Sequence, residues 1–176
     1  MNIRDIARIS LFVSLIAICS WISIPAAVPF TLQTFAVFLA VGVLGAKRGA
    51  IAVFTYILLG AIGVPVFSQF NAGIGYLLGS TGGYIIGFLA SAAVIPIVRR
   101  ALGGGTVALY LAMVAGLMVL YAFGTAWFMF VYARANGAIT LMAALSWCVI
   151  PFIIPDLLKL ALAAALTKRL KAIIRL

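Results

Sequence analysis

Residues 66–83 read VFSQFNAGIGYLLGSTGG and lie between two strongly apolar runs of the chain. The segment holds Gln69, Asn71, Ser80 and Thr81 together with five glycines. Amide side chains need hydrogen-bond partners, and glycine lets the backbone come close to whatever supplies them. Polar, irregular backbone is tolerated near a bilayer where it is buried in protein or lines a cavity. The segment therefore predicts a ligand pocket that it covers from one side.

The composition indicates an integral membrane protein. Of the 176 residues, 67% are hydrophobic and 8% are charged, and the mean hydropathy is +1.34. Soluble domains carry about 25% charged residues. With no His and two acidic residues, the chain is a poor candidate for a metal site, a His-dependent triad or paired-carboxylate hydrolysis. We expect no enzyme activity, no metal and no cofactor, and we interpret Cys19 and Cys148 as core or lipid-facing residues.

The apolar runs predict an all-α bundle of six transmembrane helices in a single domain over residues 1–176. Breaks rich in Pro, Gly or charge separate spans at approximately 7–24, 31–46, 50–64, 83–98, 107–132 and 155–174. The outer loops are expected at 25–34 and 65–82, and Lys47-Arg48-Gly49 is expected to form a turn. Residues 138–153, broken by prolines, are expected to form an outer segment or half-helix.

The basic residues predict which side of the membrane each end occupies. If the N-terminus is cytoplasmic, ten of the 12 Lys and Arg residues fall on that side: Arg4, Arg8, Lys47, Arg48, Arg99, Arg100, Lys168, Arg169, Lys171 and Arg175. Arg134 is the exception, and Lys159 lies within the last span. Positive charge on cytoplasmic loops fixes orientation and meets anionic lipid headgroups. We therefore expect both termini in the cytoplasm, membrane lipid as a partner and no nucleic-acid partner.

Asp156 and Lys159 are two ionisable residues inside the last apolar run. They are three residues apart, so they share a helix face, and Asp156 falls in the first turn, where the helix dipole favours an anion. One interpretation is a mutual salt bridge near the interface, with Lys159 reaching outward. The other is a ligand contact, because ionisable groups in membrane helices usually face the bundle interior or a cavity. A small membrane enzyme using the pair for proton transfer is a weaker alternative, and a channel lacks the polar stripes it needs.

Three stretches resemble the BioY family of biotin transporters, which are substrate-binding (S) components of energy-coupling factor (ECF) transporters. They are PFTLQTFAVFLAVGVLG at 29–45, YILLGAIGVPVFSQFNAGIGYLLGSTGGYIIGF at 56–88 and PDLLKLALA at 155–163. The resemblance implies an ECF S-component-like bundle, biotin as the substrate, and as partners a transmembrane coupling subunit and two cytosolic ATPases. It also implies the cytoplasmic membrane of a prokaryote. An S component for thiamine or riboflavin is the alternative within this class.

The candidate site residues follow from this reading. Asp156 is expected to accept from the ureido ring of biotin, while Asn71 or Lys159 donates to the ring carbonyl; alternatively, Lys159 meets the valerate carboxylate. Aromatic and polar groups from the loops complete the pocket: Phe30, Gln33, Phe67 and Tyr84. The resemblance also implies a docking face for the coupling subunit on the first helix. There the family often has Ala-x-x-x-Ala, whereas this chain has Ser10-x-x-x-Ser14.

Overall fold

The computed structural model describes residues 2–174 of the chain. Its helices are α1 Ile3–Trp21, α2 Gln33–Ala61, α3 Ile74–Leu77, α4 Gly82–Ala101, α5 Gly105–Asn136, α6 Leu141–Cys148 and α7 Ile153–Ile174. A two-stranded hairpin, β1 Ser23–Ile24 and β2 Phe30–Thr31, joins α1 to α2, and short 3₁₀ turns occupy Ser68–Phe70 and Ile150–Phe152. The helical membrane bundle expected from the sequence is confirmed.

Helix α2 folds back on itself at Gly45. This glycine has φ 81° and ψ −178°, a conformation that side-chain-bearing residues rarely adopt. A Cβ placed on Gly49 would lie 2.7 Å from the Cα of Val41. In a straight helix those residues would be about 12 Å apart along the axis, so residues 33–44 and 46–61 form two antiparallel limbs. The sequence predicted the turn at Lys47-Arg48-Gly49; these residues instead begin the second limb.

The two outer segments are more ordered than simple loops. The first segment, predicted as a loop at 25–34, belongs to the β1–β2 hairpin of residues 23–31, in which Ser23 pairs with Thr31 and Ile24 with Phe30. Residues 65–82 are fixed by side chains from the helices. The Ser20 hydroxyl and the Tyr56 hydroxyl both donate to the Val66 carbonyl, and the Trp21 indole donates to the Pro65 carbonyl at 2.9 Å.

Helices α4 and α5 pack closely because glycines replace side chains at their interface. Added Cβ atoms would overlap the Trp127 ring at Gly83, the Tyr84 ring at Gly124 and the Ile95 side chain at Gly116. Small residues at such positions let transmembrane helices approach each other directly.

Within residues 2–174, four helical segments are long and apolar enough to cross a membrane: Gln33–Ala61, Gly82–Ala101, Gly105–Asn136 and Leu141–Ile173. Helix α1 falls outside this set because Arg4, Asp5 and Arg8 charge its first two turns. Helix α7 begins at Ile153, which places Pro155 in its first turn. Residues 138–153, expected to form an outer half-helix, hold the eight-residue α6 and a 3₁₀ turn. Arg175, part of the predicted cytoplasmic basic group, lies outside the described residues.

Candidate functional site

A cavity of about 60 Å³ lies where the two outer segments meet the helical bundle. Its roof includes Val28 and Pro29 of the β1–β2 connection. The walls come from the start of α2, segment 65–82, the start of α4, the middle of α5, and the region where α6 gives way to α7. The wall residues are Thr31, Gln33, Thr34, Ser68, Tyr76, Thr81, Tyr84, Ile85, Phe88, Leu120, Tyr121, Cys148, Phe152, Asp156 and Lys159. Most of these residues carry a polar group, although most of the surface that they present to the cavity is apolar.

Asp156 and Lys159 form the charged centre of this cavity. The Lys159 ammonium donates to Asp156 Oδ1 at 2.9 Å, and the two side chains are only 9% and 4% exposed, respectively. The ammonium also donates to the Thr31 carbonyl at 2.7 Å and lies 3.9 Å from the centre of the Phe30 ring. Lys159 therefore points toward the β1–β2 hairpin and tethers it to α7. The second carboxylate oxygen of Asp156 accepts from the Tyr121 hydroxyl at 2.7 Å.

A second polar wall belongs to α4 and α5. Tyr84 of α4 and Tyr121 of α5 line the cavity. The Tyr84 hydroxyl is 3.0 Å from that of Thr125, which lies outside the cavity lining, and Gly124 leaves room for the Tyr84 ring. Cys148, at the end of α6, also lines the cavity, and this residue is only 1% exposed. Sequence reasoning assigned Cys148 to core or lipid and missed Tyr121 and Thr125. Tyr121 and Thr125 are one helical turn apart on α5, but two hydroxyl-bearing residues at this spacing do not by themselves indicate a ligand site.

The glycine-rich segment contributes hydroxyls rather than amides. Ser68 and Tyr76 line the cavity, with their hydroxyl oxygens 2.7 Å apart. Asn71, predicted to contact ligand, is exposed; its amide donates to the Ser68 carbonyl at 2.9 Å. The Phe67 side chain is completely buried between the rings of Tyr56 and Tyr76. In this structure Asn71 and Phe67 therefore lie behind the wall and are not among the residues that line the cavity.

Of the remaining sequence candidates, Gln33 and Phe30 lie at or beside the cavity, whereas Ser10 and Ser14 do not. Gln33 lines it at the start of α2, and its amide donates to the Tyr56 hydroxyl at 3.1 Å. Phe30 does not line it but stacks on Phe152, with ring centres 5.8 Å apart, and covers the Lys159 ammonium. Ser10 and Ser14 are both exposed on α1, away from the cavity walls.

The arrangement is suited to binding a small molecule with adjacent hydrogen-bond donors and acceptors. A carboxylate has about four acceptor sites, and Asp156 uses two of them, for Lys159 and Tyr121. An ammonium has three donors, and Lys159 uses two of them, for Asp156 and Thr31. Free acceptor and donor positions therefore remain side by side, next to the apolar surfaces of Phe88, Leu120 and other wall residues.

Known proteins are similar to this chain over most of its length. The model of the BioY family matches residues 1–176. "Biotin transporter BioY" of Thermotoga maritima is 44% identical over 170 residues, which cover 96% of each chain. "Probable biotin transporter BioY" of Pyrococcus horikoshii is 40% identical over 172 residues, covering 97% of this chain and 98% of its own.

A solved structure extends the likeness to three dimensions. It is described as the S-component for biotin from an ECF-type ABC transporter. It superposes with a TM-score of 0.85 and 25% identity, over 97% of this chain and 92% of its own. The matches span the segments that build the cavity, from the β1–β2 hairpin to α7. The chain belongs to the BioY family.

Proposed function

We propose that this chain is the biotin-capturing S component of an ECF-type transporter, a transport protein and not an enzyme. It binds biotin with high affinity at the outer side of the membrane and takes part in its uptake. The observation that carries the proposal is the buried Asp156–Lys159 pair in a mostly apolar cavity of a BioY-family fold. Pockets for small organic ligands have this character, with apolar walls and few, well-placed polar groups.

The free hydrogen-bonding positions of the pair match the ureido ring of biotin. Each edge of that ring presents one N–H donor beside the shared carbonyl acceptor. In our preferred pose Asp156 accepts from the N–H, and Lys159 donates to the carbonyl. Among the wall residues, the hydroxyl oxygens of Ser68 and Tyr76 are 2.7 Å apart, so that one hydroxyl donates to the other. The hydroxyl that donates keeps its own lone pairs and is able to accept from the second N–H of the ring. Tyr84 covers an apolar face of the bicycle.

A second pose places the valerate carboxylate against Lys159 instead. The two poses are separated by the substitution Lys159→Met combined with esterification of biotin, which removes the ligand charge. If Lys159 contacts the ring, esterification changes the Kd by the same factor in the wild-type protein and in the variant. If Lys159 pairs with the valerate, the effect of esterification is largely lost in the variant, because the charged partner is already absent.

Entry of biotin requires the roof to move. The cavity volume of about 60 Å³ is well below the roughly 300–1,000 Å³ of pockets that hold small molecules. The β1–β2 hairpin is held to α7 by the Lys159–Thr31 hydrogen bond and by Phe30. We propose that residues 25–34 swing outward to admit biotin and close over it, and that ATP hydrolysis by partner subunits then drives exposure to the cytoplasm.

The partners proposed are a transmembrane coupling subunit and two cytosolic ATPases, in the cytoplasmic membrane of a prokaryote. Ser10 and Ser14 share the outward face of α1, where Leu11 and Ile18 are also exposed. Small residues on such a face let another helix approach closely. Replacing both serines by Leu should reduce co-purification of the coupling subunit while biotin binding is retained. Unchanged co-purification would place the docking surface elsewhere.

A titration of the purified protein with biotin, thiamine and riboflavin tests the substrate directly. We expect biotin alone to bind with high affinity. Asp156→Ala should abolish high-affinity binding while the protein remains folded in detergent. Tighter binding of thiamine or riboflavin would assign the chain to another vitamin, and wild-type affinity in Asp156→Ala would refute the site.

A further inference from the structure

A second cavity, of about 480 Å³, lies at the opposite end of the bundle. It is enclosed by the Gly45 reversal of α2, the last turns of α4, the Gly103–Gly104 turn and the start of α5. Helix α4 connects the two cavities, since Ile85 lines the first and Arg99 the second. These residues are about 21 Å apart along the helix. The charge pattern places this end in the cytoplasm.

The rim of this cavity carries positive charge that no acidic side chain neutralises. Arg99 and Arg100 line it, and the two acidic residues of the chain are engaged elsewhere: Asp5 with Arg48 at 3.0 Å and Asp156 with Lys159. Within residues 2–174, neither arginine side chain makes an ion pair or an intramolecular hydrogen bond. A guanidinium group has five N–H donors in a planar fork, a geometry that matches the oxygens of a phosphate.

The deeper walls of the same cavity are apolar. Val41, Ile95 and Leu109 close its inner end and are almost completely buried. Pro96, which is half-buried, and Ala46, which is exposed, supply the apolar surface that remains accessible. A basic rim above apolar walls is amphipathic in the same sense as a phospholipid. Basic pockets between transmembrane helices on the cytoplasmic side bind the headgroups of anionic lipids. A free phosphate would use the rim alone and leave the apolar walls without a partner.

We propose that this cavity binds an anionic phospholipid from the cytoplasmic leaflet. The lipid phosphate lies between Arg99 and Arg100, and the upper part of an acyl chain lies against Pro96 and Ala46. The bound lipid would fill the space between the α2 reversal and the α4–α5 turn. This site is separate from biotin capture and does not depend on the identity of the transported molecule.

The test is native mass spectrometry of the full chain in neutral detergent with phosphatidylglycerol or phosphatidylcholine. We expect the wild-type protein to retain phosphatidylglycerol preferentially. Because each basic residue near an anionic headgroup strengthens binding by a factor of about five, Arg99→Gln/Arg100→Gln should weaken retention roughly thirtyfold. The matched control is Lys168→Gln/Arg169→Gln, which removes two exposed charges outside this lining at the C-terminal end of α7. The proposal would be overturned if both double variants lost phosphatidylglycerol equally, or if the Arg99→Gln/Arg100→Gln variant lost none.

Two further measurements separate the lipid from other occupants. Inorganic phosphate in excess should not displace phosphatidylglycerol; displacement would indicate a simple anion site and overturn the lipid assignment. Ala46→Trp, which fills the cavity and keeps both arginines, should also reduce retention, and unchanged retention would place the lipid elsewhere. Biotin binding is the folding control for each variant. If the Arg99→Gln/Arg100→Gln variant no longer co-purifies with the coupling subunit but still retains the lipid, the rim is a protein-binding surface and the proposal fails.

Discussion

Replacing Asp156 by Asn removes one negative charge and keeps the size of the side chain. The carboxylate accepts from the Lys159 ammonium at 2.9 Å and from the Tyr121 hydroxyl at 2.7 Å. In our preferred pose it also accepts from a ureido N–H of biotin. A hydrogen bond to a charged group contributes about 1.5–3 kcal/mol. We therefore expect Asp156→Asn to raise the Kd for biotin roughly ten- to hundredfold, measured by isothermal titration in detergent.

The substitution also leaves a buried ammonium without its counter-ion. Removing one partner of a buried ion pair costs about 3–5 kcal/mol of stability. The cost should fall near the lower end because the Thr31 carbonyl and the Phe30 ring still contact Lys159. The double variant Asp156→Asn/Lys159→Met removes the unpaired charge and should recover thermal stability without recovering biotin affinity.

The other acidic residue of the chain supplies the matched control. Asp5 pairs with Arg48, which is 41% exposed, far from the cavity lining. Asp5→Asn should leave the Kd unchanged and lower the free energy of unfolding by at most about 1 kcal/mol. If Asp156→Asn binds biotin as tightly as the wild-type protein, or if the double variant does, the carboxylate is a structural charge and not a ligand contact.

Two other predictions probe the wall of the cavity. Gly124→Ala would push the Tyr84 ring toward the ligand or separate α4 from α5, at a cost of about 1–3 kcal/mol in stability, and should weaken biotin binding. Gly75→Ala, where an added Cβ meets no atom within 4 Å, should leave binding unchanged; equal affinities in the two variants would contradict the geometry. Cys148 lines the cavity whereas Cys19 does not, so biotin should slow maleimide labelling of Cys148 alone, as read by peptide mass spectrometry. Equal protection of both thiols would indicate a global change.

The charged centre of the site was predictable because electrostatics in a membrane leaves few options. Asp156 and Lys159 stand inside an apolar run, and an ionisable group there must be sheltered by a partner or a cavity. The structure gives them both: each is the partner of the other, and both line the cavity. Of the two interpretations that the sequence left open, the salt bridge is present. The ligand contact stays a prediction, and it is compatible with the salt bridge because both residues line the cavity.

Other parts of the site were not predictable, for reasons specific to each residue. Tyr121 sits in a long apolar helix, where a tyrosine fits equally well in a core, at the lipid interface or beside a ligand. Asn71 looked like a ligand contact because it is an amide among glycines, yet its side chain is satisfied locally by the carbonyl three residues before it. The α2 reversal was placed at the charged Lys47-Arg48 pair, but the backbone needed the positive φ of Gly45.

The first limb of α2 is unusually short, and this sets the depth of the cavity. Residues 33–44 rise only about 18 Å, whereas the hydrocarbon core is about 30 Å thick. If its far end lies at the cytoplasmic boundary, as the basic residues predict, the limb stops roughly 12 Å beneath the opposite boundary. Gln33 and Thr34 at that end line the cavity. A captured molecule is therefore already part of the way across the bilayer. The distance that remains to the cytoplasm is therefore shorter than the full thickness of the bilayer.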